Sequence, residues 1–208
     1  MKPGRWSRRD SLLGLASLGA SAWLPPAHAG QVEEPLADAV RGALRMSIEA
    51  AGPPNHELLP LPSRQRYARW ERDLAPRLAR QKSHPLEREE FLRTVWYYAV
   101  RQGLDPTLVM GVVQVESAFR KYAVSSVGAR GYMQVMPFWA RLIGNGDAGV
   151  LFDLNANISF GCTILRHYLD RERGDTFLAL GRYNGSRGRA PYPNSVYVAM
   201  RRWAHPDA

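Results

Sequence analysis

The segment from Leu104 to Pro137 admits few folds. It reads LDPTLVMGVVQVESAFRKYAVSSVGARGYMQVMP. Asp105 can cap a helix N-terminus, and Pro106 suits the first helical position. Leu108, Val109, Val112, Val113 and Val115 then make a helix apolar nearly all round, which calls for burial. Leu108, Val112 and Glu116 are spaced four apart and share a face. A carboxylate therefore ends an apolar stripe, where loss of hydration favours its protonated form. Ser125, Ser126, Gly128 and Gly131 follow in a loop too rich in small residues for another helix. The segment closes on GYMQVMP, with polar Gln134 between Met133 and Met136.

The flanking sequence reads as helices. Leu36, Val40, Leu44 and Ile48 give a helical spacing within Val32 to Ala50, stopped by Gly52-Pro53-Pro54-Asn55. Ser63 can cap a second helix with Tyr67, Trp70 and Leu74 on one face, which Pro76 should end or kink. Leu86, Phe91, Val95, Tyr98 and Ala99 predict a third, ending at Gly103. Phe138 to Ile143 predicts a short helix. Leu154 to Arg173 predicts a longer one, begun by Asn155 or Asn157, with Ile158, Cys162, Leu165 and Leu169 inward. Gly174-Asp175 introduces a helix over Thr176 to Tyr183. Arg187, Arg189, Pro191 and Pro193 read as a stiff loop, and Asn194 as the cap of a last helix. No alternating strand pattern is present, so the expected class is all-α.

Residues 1–29 read as a cleavable export signal. Lys2, Arg5, Arg8 and Arg9 form a positive start, Ser11 to Leu24 is uncharged, and Ala27-His28-Ala29 suits cleavage. Ser7-Arg8-Arg9-Asp10-Ser11-Leu12-Leu13 resembles a twin-arginine signal, with Ser11 where that motif prefers Phe, so the Sec and twin-arginine routes both stay open. The expected location is the periplasm. After signal removal no stable membrane insertion is expected. Residues 30–88 then read as a helical extension and 89–208 as the catalytic domain.

The chain has 28 basic and 19 acidic residues, a net +9, of which +3 falls in residues 1–29. Such a balance favours polyanions. The basic residues are dispersed and no nucleic-acid motif is present, so nucleic acid is not an expected partner. Cys162 is the single cysteine and reads as a core residue. No His/Cys/Asp cluster has ligand spacing, so neither a metal nor a cofactor is expected.

Glu116-Ser117, then Ser125, then Gly131-Tyr132-Met133-Gln134-Val135-Met136-Pro137, then Tyr183-Asn184-Gly185 occur in an order and spacing that resembles the soluble lytic transglycosylase catalytic domain. That family is related to goose-type lysozyme, and the resemblance runs from about Glu89 to the C-terminus. Asn157-Ile158-Ser159-Phe160-Gly161 resembles a further family segment, in which a small residue lets helices pack closely. The resemblance implies a lysozyme-like helical fold that cleaves peptidoglycan glycan strands. It implies Glu116 as catalytic acid and base, and Ser125, Gln134, Met136, Tyr183 and Asn184 as substrate-binding residues, with the Tyr183 hydroxyl near Glu116. Ser117 is expected to brace the helix end. Two departures stand out: Tyr132 replaces the usual Leu, and Gly185-Ser186 replaces Ala-Gly.

Glycosidic cleavage needs a proton on the leaving oxygen, and most glycosidases pair two carboxylates. Between Glu116 and Phe138 there is no other Asp or Glu. A lytic transglycosylase needs no attacking water, because the muramic 6-hydroxyl attacks its own anomeric carbon, and one Glu can serve as acid and then base. The resemblance implies the same single-Glu mechanism and a 1,6-anhydromuramic product. Two other readings stay open: a goose-type lysozyme that uses water, and a catalytically silent wall-binding or secretion-system scaffold.

Overall fold

A computed structural model describes residue 31, residues 38–51, 54, 55, 57 and 59–208. The expected export signal and Leu36 lie outside the described residues. Within them the chain is all-α: α1 (Asp38–Ala51), α2 (Leu61–Leu78), α3 (Pro85–Arg101), α4 (Pro106–Ser117), α5 (Pro137–Ile143), α6 (Leu154–Arg171), α7 (Thr176–Tyr183) and α8 (Pro191–Trp203). A 3-10 turn at Ala148–Phe152 joins α5 to α6. Extended pairing among the described residues is limited to isolated bridges from Val124 to Arg130 and from Arg130 to Val135.

The core is built around α4. Leu108, Val109, Met110, Val112 and Val113 are all buried, as an all-round apolar helix requires. Its start is fixed as the sequence suggests: Asp105 Oδ1 accepts from the Thr107 N–H at 2.6 Å. α8 lies along α4, and Gly111 is what lets it approach. A Cβ there would meet Met200 Cγ at 2.7 Å and the Val196 carbonyl at 3.2 Å. The Trp203 indole at the end of α8 donates to Gln114 Oε1 at 2.6 Å.

The N-terminal helices share this core. Trp70, Leu74 and Leu78 of α2 are fully buried, and Trp70 packs on Trp96 of α3 at a ring separation of 5.3 Å. On α1, Leu44 and Ile48 pack on the core, while Val40 is 37% exposed although its spacing predicts an inward position.

Several boundaries differ from those expected. α2 runs through Pro76 to Leu78. The proline sits in the last turn, so the missing N–H disturbs a helix that is ending anyway. Asp153, not Asn155 or Asn157, caps α6, accepting from the Ala156 N–H at 2.9 Å. α8 starts at Pro191, ahead of Asn194. First-turn N–H groups have no intrahelical acceptor, so Pro191 and Pro193 fit there at little cost.

Candidate active site

Glu116 sits in the last turn of α4, where the chain reverses sharply. Ala118 and Phe119 both adopt left-handed backbone conformations, at φ 49° and 65°. Such geometry costs roughly 1 kcal/mol or more per non-glycine residue and must be held by its surroundings. Phe119 is held: it is buried, with its ring edge-on to Phe91 at 5.7 Å and to Trp203 at 5.2 Å. Ser117 is buried, and its hydroxyl donates to the Val113 carbonyl at 3.1 Å, bracing the same turn.

The Glu116 carboxyl is enclosed by protein while the residue keeps some surface open to solvent. Burial pushes its pKa from 4.5 up to about 7, against a smaller lowering by a hydrogen bond from Tyr192. That bond runs from the Tyr192 hydroxyl to Glu116 Oε1 at 2.6 Å. Burial and then the charge of Glu116 raise the Tyr192 phenol well above its usual value, so it stays a donor. Tyr183 was the tyrosine expected beside the acid. Its buried ring is close enough for Glu116 to raise its pKa, after the larger effect of burial, but its hydroxyl donates to the Met133 carbonyl at 2.8 Å. Position 192 takes the contact because Tyr192 lies in the first turn of α8, which the close approach at Gly111 carries up to the end of α4.

The GYMQVMP segment folds as a tight turn, tied to the tyrosine near the acid by the Tyr183–Met133 bond. Arg130 and Val135 exchange backbone hydrogen bonds at 3.0 Å. Gly131 has φ 74°, and a Cβ there would meet Asn157 Nδ2 at 2.3 Å, so glycine is needed for both conformation and space. Gln134 is buried, with φ 49°, and donates from Nε2 to the carbonyls of Ala123 at 3.1 Å and Gly131 at 3.0 Å. Its amide therefore fastens the serine-glycine loop to the turn. Within that loop, Ser125 Oγ accepts from the Ala129 N–H at 3.0 Å. Met136 is partly buried at the edge of the turn. Asn184 caps α7, and its Nδ2 donates to Ser186 Oγ at 2.9 Å.

Asn157, whose side-chain role the sequence does not reveal, and Lys82, which it does not single out, hold this turn. Asn157 is fully buried in α6. Its Oδ1 accepts from the Met133 N–H at 2.8 Å, and its Nδ2 donates to the carbonyls of Arg130 at 2.9 Å and Leu151 at 2.7 Å. Four residues on, a Cβ at Gly161 would lie 2.3 Å from Met133 Sδ, so the small residue does bring α6 against the turn. Lys82 accounts for Tyr132. Its buried ammonium donates to the Tyr132 hydroxyl at 2.7 Å and lies over the Phe91 ring at 5.0 Å. The Tyr132 hydroxyl thus points to the segment between α2 and α3.

Glu172 fixes the far side of the turn after α7. It accepts from the guanidinium groups of Arg182 and Arg187, which hold its carboxyl down at about 2, Arg187 being the stronger influence.

An acid raised toward neutrality by burial and bonded by a tyrosine thus sits on an all-α scaffold that also carries a glutamine-pinned turn. Residues 94–195 match the family model described as Transglycosylase SLT domain, and this segment is a domain of that family. A transglycosylase of Enterobacteria phage PRD1 is 40% identical over 101 residues, 49% of this chain and 37% of that protein. A membrane-bound lytic murein transglycosylase C of Actinobacillus pleuropneumoniae is 35% identical over 114 residues, 48% of this chain and 31% of that protein. The chain therefore spans between 31% and 37% of the length of these relatives. Among solved structures, a 70-kDa soluble lytic transglycosylase in complex with bulgecin A aligns with a TM-score of 0.43 at 22% identity, covering 68% of this chain and 26% of that one.

Proposed function

We propose that this chain is a peptidoglycan lytic transglycosylase that cleaves the β-1,4 bond between N-acetylmuramic acid and N-acetylglucosamine. The observation that carries this reading is the state of Glu116: its pKa is raised to about 7 by burial, with only Tyr192 otherwise affecting it. Among the described residues no second carboxylate perturbs its titration. A two-carboxylate glycosidase would place an acid within about 5–10 Å of it.

In this reading protonated Glu116 donates to the glycosidic oxygen as the C1–O bond breaks. Charge develops on the muramic ring, and the departing sugar leaves with the proton. Glu116, now a carboxylate, accepts the proton of the muramic 6-hydroxyl, whose oxygen bonds to C1. The product is a 1,6-anhydro end, and the acid is restored. A pKa near the working pH suits a group that must give and then take a proton. Tyr192 stabilises the intermediate carboxylate by its hydrogen bond. Ser125, Gln134, Met136, Tyr183 and Asn184 form the glycan-binding wall. Residues 89–208 act as the catalytic unit, with 30–88 packed on it as a helical extension.

Residues 1–29 serve as an export signal in this reading, and the periplasm is where the substrate lies. No helix among the described residues is long and apolar enough to cross a membrane. Mass spectrometry of products from purified sacculi tests the activity. Anhydro ends are expected, whereas reducing ends would mean hydrolysis by water and would overturn the reading.

A further inference from the structure

One side chain from far upstream reaches this site. Gln31 is 5% exposed. Its Oε1 accepts from the Met136 N–H at 3.4 Å. The same side chain lies against Tyr183 closely enough to lower that phenol's pKa, against the larger rise from burial and from Glu116. Its buried Nε2, the end that can donate to the Tyr183 oxygen, makes no hydrogen bond of good geometry there. An amide from a residue 105 positions away thus occupies space between the GYMQVMP turn and the tyrosine beside the acid.

We propose that Gln31 is a built-in competitor for the glycan cleft, its carboxamide standing where an acetamido group of the sugar would bind. The idea takes the identity of the displaced ligand from the proposed function. The chemistry of the seat supports it. A carboxamide and an acetamido group present the same carbonyl acceptor and N–H donor, and the seat offers the Met136 N–H to the carbonyl. The fit of Gln31 is poor: one contact is long for an N–H···O bond, and the donor end meets Tyr183 only loosely. A permanent structural tie would satisfy both ends. A weakly held occupant is instead one that a better ligand can displace, and it lowers apparent affinity by the fraction of time it is seated.

The test compares the chain beginning at Gly30 with its Gln31→Ala variant. Each is titrated with a chitin trisaccharide, which carries acetamido groups, while the Met136 amide is followed by NMR. The variant is expected to bind the trisaccharide roughly three- to tenfold more tightly, the effect of removing one or two weak hydrogen bonds from the competitor. Hydrogen exchange at the unliganded Met136 amide should quicken. Unchanged or weaker trisaccharide binding, with or without a fall in melting temperature, would assign Gln31 a purely structural role and overturn the proposal. Tighter binding by the variant, with neither chain releasing anhydro ends from sacculi, would uphold the competitor and reject the transglycosylase reading alone.

Discussion

The Tyr192 hydroxyl donates to Glu116 Oε1 at 2.6 Å, joining the start of α8 to the end of α4. The contact opposes burial: burial raises the acid's pKa, and this bond lowers it. The acid is tuned by two effects pulling in opposite directions, burial and the Tyr192 bond.

Removing the hydroxyl leaves burial unopposed. In Tyr192→Phe the pKa of Glu116 should rise by about one unit, the worth of a hydrogen bond to a charged group. The pH–rate profile is the check. The limb reporting Glu116 should move to higher pH, and the maximal rate should fall about tenfold because the intermediate carboxylate loses its donor.

The raised pKa carries a stability cost with a definite sign. Between an unfolded value of 4.5 and a folded value of about 7, the folded chain binds the extra proton. Stability therefore falls as pH rises through that window and levels off above it, by about 3 kcal/mol for a shift of this size. Glu116→Gln has no such ionisation and can still accept from Tyr192. It should be more stable than the parent at pH 8 by about 2–3 kcal/mol, with the gap closing near pH 4.5, as urea unfolding at the two pH values would show. Its turnover should drop at least 100-fold, roughly the contribution of a positioned acid–base group.

The approach of α8 depends on Gly111. Alanine is the better helix former by about 1 kcal/mol, but overpacking costs about 1–3 kcal/mol. Here overpacking should win, since the Val196 carbonyl 3.2 Å from the new methyl is backbone and cannot swing aside as Met200 can. Gly111→Ala should lower stability in urea by about 1 kcal/mol and reduce activity more than stability alone explains, because Tyr192 rides on the displaced helix.

Lys82 and Tyr132 should behave as a pair. Replacing Tyr132 with Leu leaves a buried ammonium without its acceptor, which should cost about 1–3 kcal/mol. Adding Lys82→Met to that variant removes the stranded charge and should restore most of the loss. A double-mutant cycle by chemical denaturation measures the coupling, and additive losses would mean the two side chains act independently.

Much of the scaffold could be read in advance because it rests on local rules. Asp105 capping α4, the apolar wrap from Leu108 to Val113, and the stop at Gly103 each follow from a few adjacent residues. The same reasoning misassigned the cap of α6 and the start of α8, where Asp153 and Pro191 competed with equally suitable neighbours. The site divides likewise. The position of Glu116 at the end of an apolar stripe foretold its burial. The tyrosine that bonds it could not be foretold, since that depends on a helix crossing set by Gly111, 81 residues before Tyr192. Asn157 carries a weak signal, a polar residue on the inward side of an apolar helix, and reads as a possible cap and as the first residue of the Asn157–Gly161 segment, but its three bonds to the turn are not legible there. Tyr132 departs from the family's usual Leu, and only the three-dimensional contact with Lys82 shows what its hydroxyl meets.

The central claim is that Glu116 holds its proton near neutral pH because protein has replaced its water. Site-specific 13C labelling of the Glu116 carboxyl, followed by NMR through a pH titration, reads this directly. The account predicts a midpoint near 7, well above the 4.5 of a free side chain. A midpoint at or below 4.5 would show a hydrated or ion-paired carboxylate and contradict it.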